Sequence, residues 1–152
     1  MSLDVPQGQR TALFQFIATT LILAIFAPRF LSGLNAGDFT GPDGLMAAAR
    51  LMLIAVGVAI VLSIVVHILG TIVLAIATGT GEVQDLTDER DLAFSLRGER
   101  ISSWVSGGAL VFGLFLAWQG TSAPAVLGLA LLGCAVGDLI ANAYKLCRYV
   151  RG

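Results

Sequence analysis

Residues 79–102 read GTGEVQDLTDERDLAFSLRGERIS, and this polar interval divides the chain into two long apolar blocks. It collects Glu82, Asp85, Asp88, Glu89, Asp91 and Glu99 beside Arg90, Arg97 and Arg100. Each flanking block is long enough to cross a bilayer twice, since a helix needs about 20 apolar residues to span about 30 Å of hydrocarbon. The expected fold is therefore all-α: an integral membrane four-helix bundle forming one domain, with a charged central loop.

Composition supports that expectation. Of 152 residues, 57% are hydrophobic and 12% charged, about half the charged share of a soluble domain. Such a chain takes the lipid bilayer as part of its solvent. The net charge of -1 lacks the basic footprint that phosphate contacts require, so direct binding of nucleic acid is not expected.

Working outward from the loop at 79–100, the expected spans are about 10–30, 45–78, 101–118 and 124–147. The first ends near Pro28 without a small-residue cleavage pattern, so it reads as a retained span rather than a cleaved signal peptide. The connection SGLNAGDFTGPDG reads as a surface loop, with Asp43 placed to N-cap the second helix. With four crossings, Arg10, Arg90, Arg97, Arg100, Lys145, Arg148 and Arg151 fall on one side and only Arg29 and Arg50 on the other. The bias of Lys and Arg towards cytoplasmic flanks then puts both termini and the loop inside. Trp104 and Trp118 suit interfacial anchors.

Within the loop, Thr87 is placed to N-cap a short helix whose first turn carries Asp88, Glu89 and Asp91, opposite the positive end of the helix dipole. Gly98 falls where such a helix would stop. Leu92, Ala93 and Leu96 share a face that would rest on headgroups or on the bundle. The charges read either as a solvated connection or as a docking surface made of Asp85, Asp88, Glu89, Arg90, Asp91, Arg97 and Arg100. Acidic residues beside anionic headgroups are held away from the membrane, which favours presentation to a partner.

The run Asp88-Glu89-Arg90, followed by Arg100-Ile101-Ser102 opening a span, resembles a group of small four-span prokaryotic membrane proteins of unassigned activity. They carry a similar Asp-Glu-Arg element in the central loop. The resemblance covers the loop and the layout, not the spans. Some members are encoded beside helix-turn-helix regulators, which implies a membrane-tethered inhibitor or sensor with a cytosolic regulatory partner.

Ionisable groups inside a span are costly and mark candidate sites. His67 and Asp138 sit at similar depths in the second and fourth spans, with Asn142 one turn from Asp138. They read as an interhelical pair that sets register or as a proton- or ion-binding pair, within one chain or between protomers. Rows of small residues, including Ala59 and Ser63 on the second span and Gly133 and Gly137 on the fourth, suit close helix packing. The two cysteines, Cys134 and Cys147, form no metal-binding pattern, and a haem with two histidine ligands would need a second His. No phosphate loop, nucleophile elbow or zincin motif appears, so neither a cofactor nor enzymatic activity is expected. The reading that follows is a non-enzymatic regulatory protein, a homo-oligomer or an accessory subunit of a membrane complex. The alternative is a small oligomeric proton- or ion-coupled transporter.

Overall fold

The computed structural model describes residues 7–41, 43–78 and 89–151. They form four helices: α1 (Gln7–Ala36), α2 (Gly44–Thr78), α3 (Glu89–Trp118) and α4 (Ala123–Arg151). All four are long and apolar enough to cross a membrane, as in a multi-pass membrane protein. Their side chains point mostly outward. In α2, Gly44 and Ala48 are the only buried residues among those described, and Leu53, Val61, Val73 and Ile76 are exposed. A soluble domain could not carry so much exposed aliphatic surface, whereas lipid solvates it.

The helices run up and down as two hairpins. α3 packs most extensively on α4, and α1 packs on both α4 and α2. The square is left open on one edge, since among the described residues α2 and α3 make no contact. The α2 and α4 helices, diagonal in a closed square, instead touch each other. They meet beside an apolar cavity lined by Leu51, Met52 and Ala55 with Gly128, Leu131 and Ala135.

Contact between α3 and α4 rests on side chains that are missing. A Cβ on Gly133 would land on that of Ala109, and one on Gly137 would lie 2.9 Å from Ser106 Oγ and 3.1 Å from the Ser102 carbonyl. Small residues let two backbones approach, and in lipid such close packing replaces the hydrophobic drive that helices lack there. The Gly133 and Gly137 spacing is therefore a packing device, directed at α3 rather than at the small residues of α2. On α2, Ser63 donates to Gln15 Oε1 of α1 at 3.1 Å, and Ala59 is half-buried.

Both connections at one end of the molecule are tight. α1 ends in a Schellman turn: Asp38 N donates to Gly33 O at 3.0 Å and Gly37 N to Leu34 O at 3.3 Å, with Gly37 at φ 79. α3 ends likewise, Thr121 N donating to Leu116 O and Gly120 N to Ala117 O, both at 3.0 Å, with Gly120 at φ 83. Only glycine adopts that left-handed backbone without penalty, and the turns satisfy helix-end carbonyls that lipid could not. Phe39 folds back from the first turn, its ring stacked on Phe30 at a centroid distance of 5.4 Å and covering Gly33. Phe30 also lies against Gly128. Asp43 occupies the N-cap position of α2, its carbonyl accepting from Ala47 N at 2.9 Å.

Two boundaries depart from the sequence reading. α1 does not stop near Pro28 but continues to Ala36. Proline removes one helical hydrogen bond, and the packing of Phe30 and Gly33 beyond it outweighs that loss. α3 does not stop at Gly98 either; the expected loop helix and the third span are one helix from Glu89. Gly98 is buried because the Lys145 stem lies across it. Its missing side chain serves an interhelical contact instead of a helix stop.

Two glycines of similar helical setting should therefore respond oppositely. Gly133→Val should lower stability by about 1–3 kcal/mol through overpacking against Ala109. Gly107→Ala, where an added Cβ meets nothing within 4 Å, should raise it by about 0.4–1 kcal/mol. An SDS-unfolding titration of the two purified proteins, followed by circular dichroism, measures both.

Candidate functional site: a polar cleft between three helices

Opposite the tight turns, the start of α1, the start of α3 and the end of α4 converge. A Cβ on Gly8 would meet the Tyr149 hydroxyl and lie 3.5 Å from Asp91 Cγ. Phe94 anchors the first turns of α3: it is buried, meets Tyr149 edge-to-face at 5.3 Å and receives the Arg148 guanidinium over its ring at 5.3 Å. A cation at this distance from an aromatic face is held by the ring quadrupole.

Between these helices lies a cleft of two adjoining cavities, about 370 Å³ and 580 Å³. Gln15, Asn142 and Lys145 line both. The cavity nearer the chain ends adds Asp91, Thr11, Ser95 and Tyr149, and the other adds Glu99, Ser102, Ser106 and Asp138. Every lining residue comes from α1, α3 or α4, and α2 leaves the neighbouring edge open.

Side chains in the cleft are held by short local bonds. Ser102 Oγ donates to Asp138 Oδ1 at 2.7 Å, and Asn142 Nδ2 donates to the Asp138 carbonyl at 2.9 Å. Ser95 Oγ donates to Glu99 Oε1 at 3.0 Å. Asp91 and Asn142 are each only 7% exposed. A buried carboxylate ordinarily recruits a partner, yet Asp91 has no hydrogen bond or ion pair among the described residues.

The structure separates His67 from Asp138. His67 Nδ1 lies 2.8 Å from the Ser63 carbonyl of its own helix, and its ring meets Phe14 edge-to-face at 5.6 Å. Asp138 turns instead to α3. Within one chain the expected pair is thus replaced by two unrelated contacts, because α2 packs on α1 at this level and Phe14 fills the space beside His67. Asn142 does stay with Asp138, as the helical spacing requires.

Of the expected docking residues, Asp85, Asp88 and the side chain of Arg90 lie outside the described residues, as does Thr87. Asp91 faces inward, whereas Glu89, Arg97 and Arg100 are exposed. Leu92 and Leu96 are each 56% exposed, so their face does not rest on the bundle. The face that does carries Asp91, Phe94 and Gly98. Sequence reasoning passed over Phe94, Gln15 and the Ser102–Ser106 pair. The i, i+3, i+7 spacing of Asp91, Phe94 and Gly98 is a helical stripe, but an acid and a glycine hide its apolar character.

Among the described residues no cluster of His, Cys, Asp and Glu could hold a metal ion. A double-mutant cycle on Ser102→Ala and Asp138→Asn should give a coupling of about 0.6–1.7 kcal/mol, the range of interhelical hydrogen bonds in membranes. The same cycle on His67→Ala and Asp138→Asn should be additive within about 0.5 kcal/mol. No family model matches the chain, and neither the curated proteins nor the solved structures compared with it produced a match.

Proposed function

We propose that the protein is a non-enzymatic, multi-pass subunit or regulator of a larger assembly in the bacterial cytoplasmic membrane, with the convergent end of its helices inside. The orientation rests on the excess of Lys and Arg at that end. The observation that carries the functional reading is the surface of the first turns of α3. Phe94 and Gly98 bind these turns firmly to α4, while Leu92, Leu96, Arg97 and Arg100 face away from the bundle. A rigid helix face with apolar residues rimmed by arginines loses little entropy on docking, and Arg is favoured at such contacts. The partner is a cytosolic regulatory protein or another membrane subunit.

Alanine at Leu96, Arg97 and Arg100 together should release the partner that accompanies the tagged protein in mild detergent, with the melting curve of the bundle unchanged. Retention of every accompanying protein at wild-type stoichiometry would rule the surface out.

A second reading, transport of a proton or ion, is favoured by the polar cleft alone, and it runs through Asp138 without His67. Asp138→Asn should then abolish flux in liposomes, while His67→Ala leaves it intact.

A further inference from the structure

The cleft contains more charge than its internal bonds use. Among the described lining residues, Asp91, Glu99 and Asp138 stand against one ammonium, Lys145. Ser95 and Ser102 each engage one oxygen of Glu99 and Asp138. Asp91, nine-tenths buried, engages nothing among the described residues, and Lys145 makes no ion pair there. A buried carboxylate that lines an open cavity and has no partner among the described residues points to a cationic ligand.

The order of groups along the cleft narrows its class. Asp91 lies at the end of the molecule, beside Gly8 and Tyr149. Lys145 borders both cavities, and Asp138 lies deeper in α4. A diacyl lipid entering from the open side would place its phosphate below the acyl chains and its amine beyond the phosphate, nearest to water. That sequence matches Lys145 followed by Asp91. A lysine ammonium is a common phosphate partner. The Asp91 carboxylate and the Asn142 amide oxygen offer acceptors suited to a primary ammonium, which donates three hydrogen bonds. A quaternary amine would want an aromatic cage, and the cleft contributes only Tyr149. An anionic headgroup would meet three carboxylates.

We propose that the cleft between α1, α3 and α4 binds a zwitterion carrying a phosphate and a primary ammonium, with Lys145 on the phosphate and Asp91 on the ammonium. The chemistry is that of a phosphatidylethanolamine headgroup or of free phosphoethanolamine. It is independent of the docking face, which lies on the outward side of α3.

Native mass spectrometry of the full chain, released from detergent supplemented with equal phosphatidylethanolamine, phosphatidylcholine and phosphatidylglycerol, provides the test. One phosphatidylethanolamine should be retained with about tenfold preference over phosphatidylcholine, as one charged hydrogen bond confers, and phosphatidylglycerol least of all. Asp91→Asn should erase the preference between the two zwitterionic lipids, whereas Lys145→Met should weaken both alike. Addition of free phosphoethanolamine distinguishes the sources: displacement of the lipid at equal concentration assigns the site to the soluble ester, and no displacement assigns it to the lipid. Equal retention of the three lipids by the wild-type chain, or an unchanged preference in Asp91→Asn, would overturn the proposal. The wild-type preference stands as a test even where a substitution prevents folding.

Discussion

Close approach of α3 and α4 through small residues is the constraint on which the other features depend. Gly133 and Gly137 leave room for Ala109 and Ser106, and that proximity brings Ser102 within hydrogen-bonding distance of Asp138. Helices in lipid gain little from burying apolar surface against one another, so the fit of backbones has to supply the association. Two larger side chains at these glycines would separate the helices and break the Ser102–Asp138 hydrogen bond.

The two ends of the molecule are built on different physics. At the tight end, glycine-terminated helices close their own carbonyls, and Phe30 and Phe39 seal the corner against Gly128 and Ala48. At the convergent end, Phe94, Tyr149 and Arg148 clamp α3 to α4, and the space beside them is lined with polar atoms. The α2 helix follows α1 along its length but leaves α3 alone. An open edge beside acids, amides and hydroxyls is costly in lipid unless water, a headgroup or a partner occupies it. The proposed docking face and the Asp91 end of the proposed headgroup site both lie on the first half of α3, whereas Lys145 and Asn142 belong to α4.

Within one chain, the described polar residues His67, Asp138 and Gln15 each make a separate contact. His67 bonds to its own helix, Asp138 to Ser102 and Gln15 to Ser63. The Ser102–Asp138 and Ser63–Gln15 contacts cross between helices, which fits a role in fixing register, whereas the His67 contact stays within α2.

Much of the architecture was legible in the sequence, because the length and hydropathy of a spanning helix are one-dimensional quantities. The four long apolar helices, the Asp43 cap and the packing role of Gly133 and Gly137 follow from composition and spacing. So does the gathering of Lys and Arg at one end. What the sequence could not determine is which faces meet. The end of α1 and the start of α3 are not legible because Pro28 and Gly98 carry a local preference for stopping a helix, and packing by Phe30, Gly33 and Lys145 outweighs it. Matching depth suggests a pairing of His67 with Asp138 within one chain or between protomers, but depth leaves the rotation of each helix free. Only the tertiary structure set that rotation, turning Asp138 towards Ser102 and burying Asp91 in the cleft, because side-chain volume across the helix contacts decides which residues are neighbours.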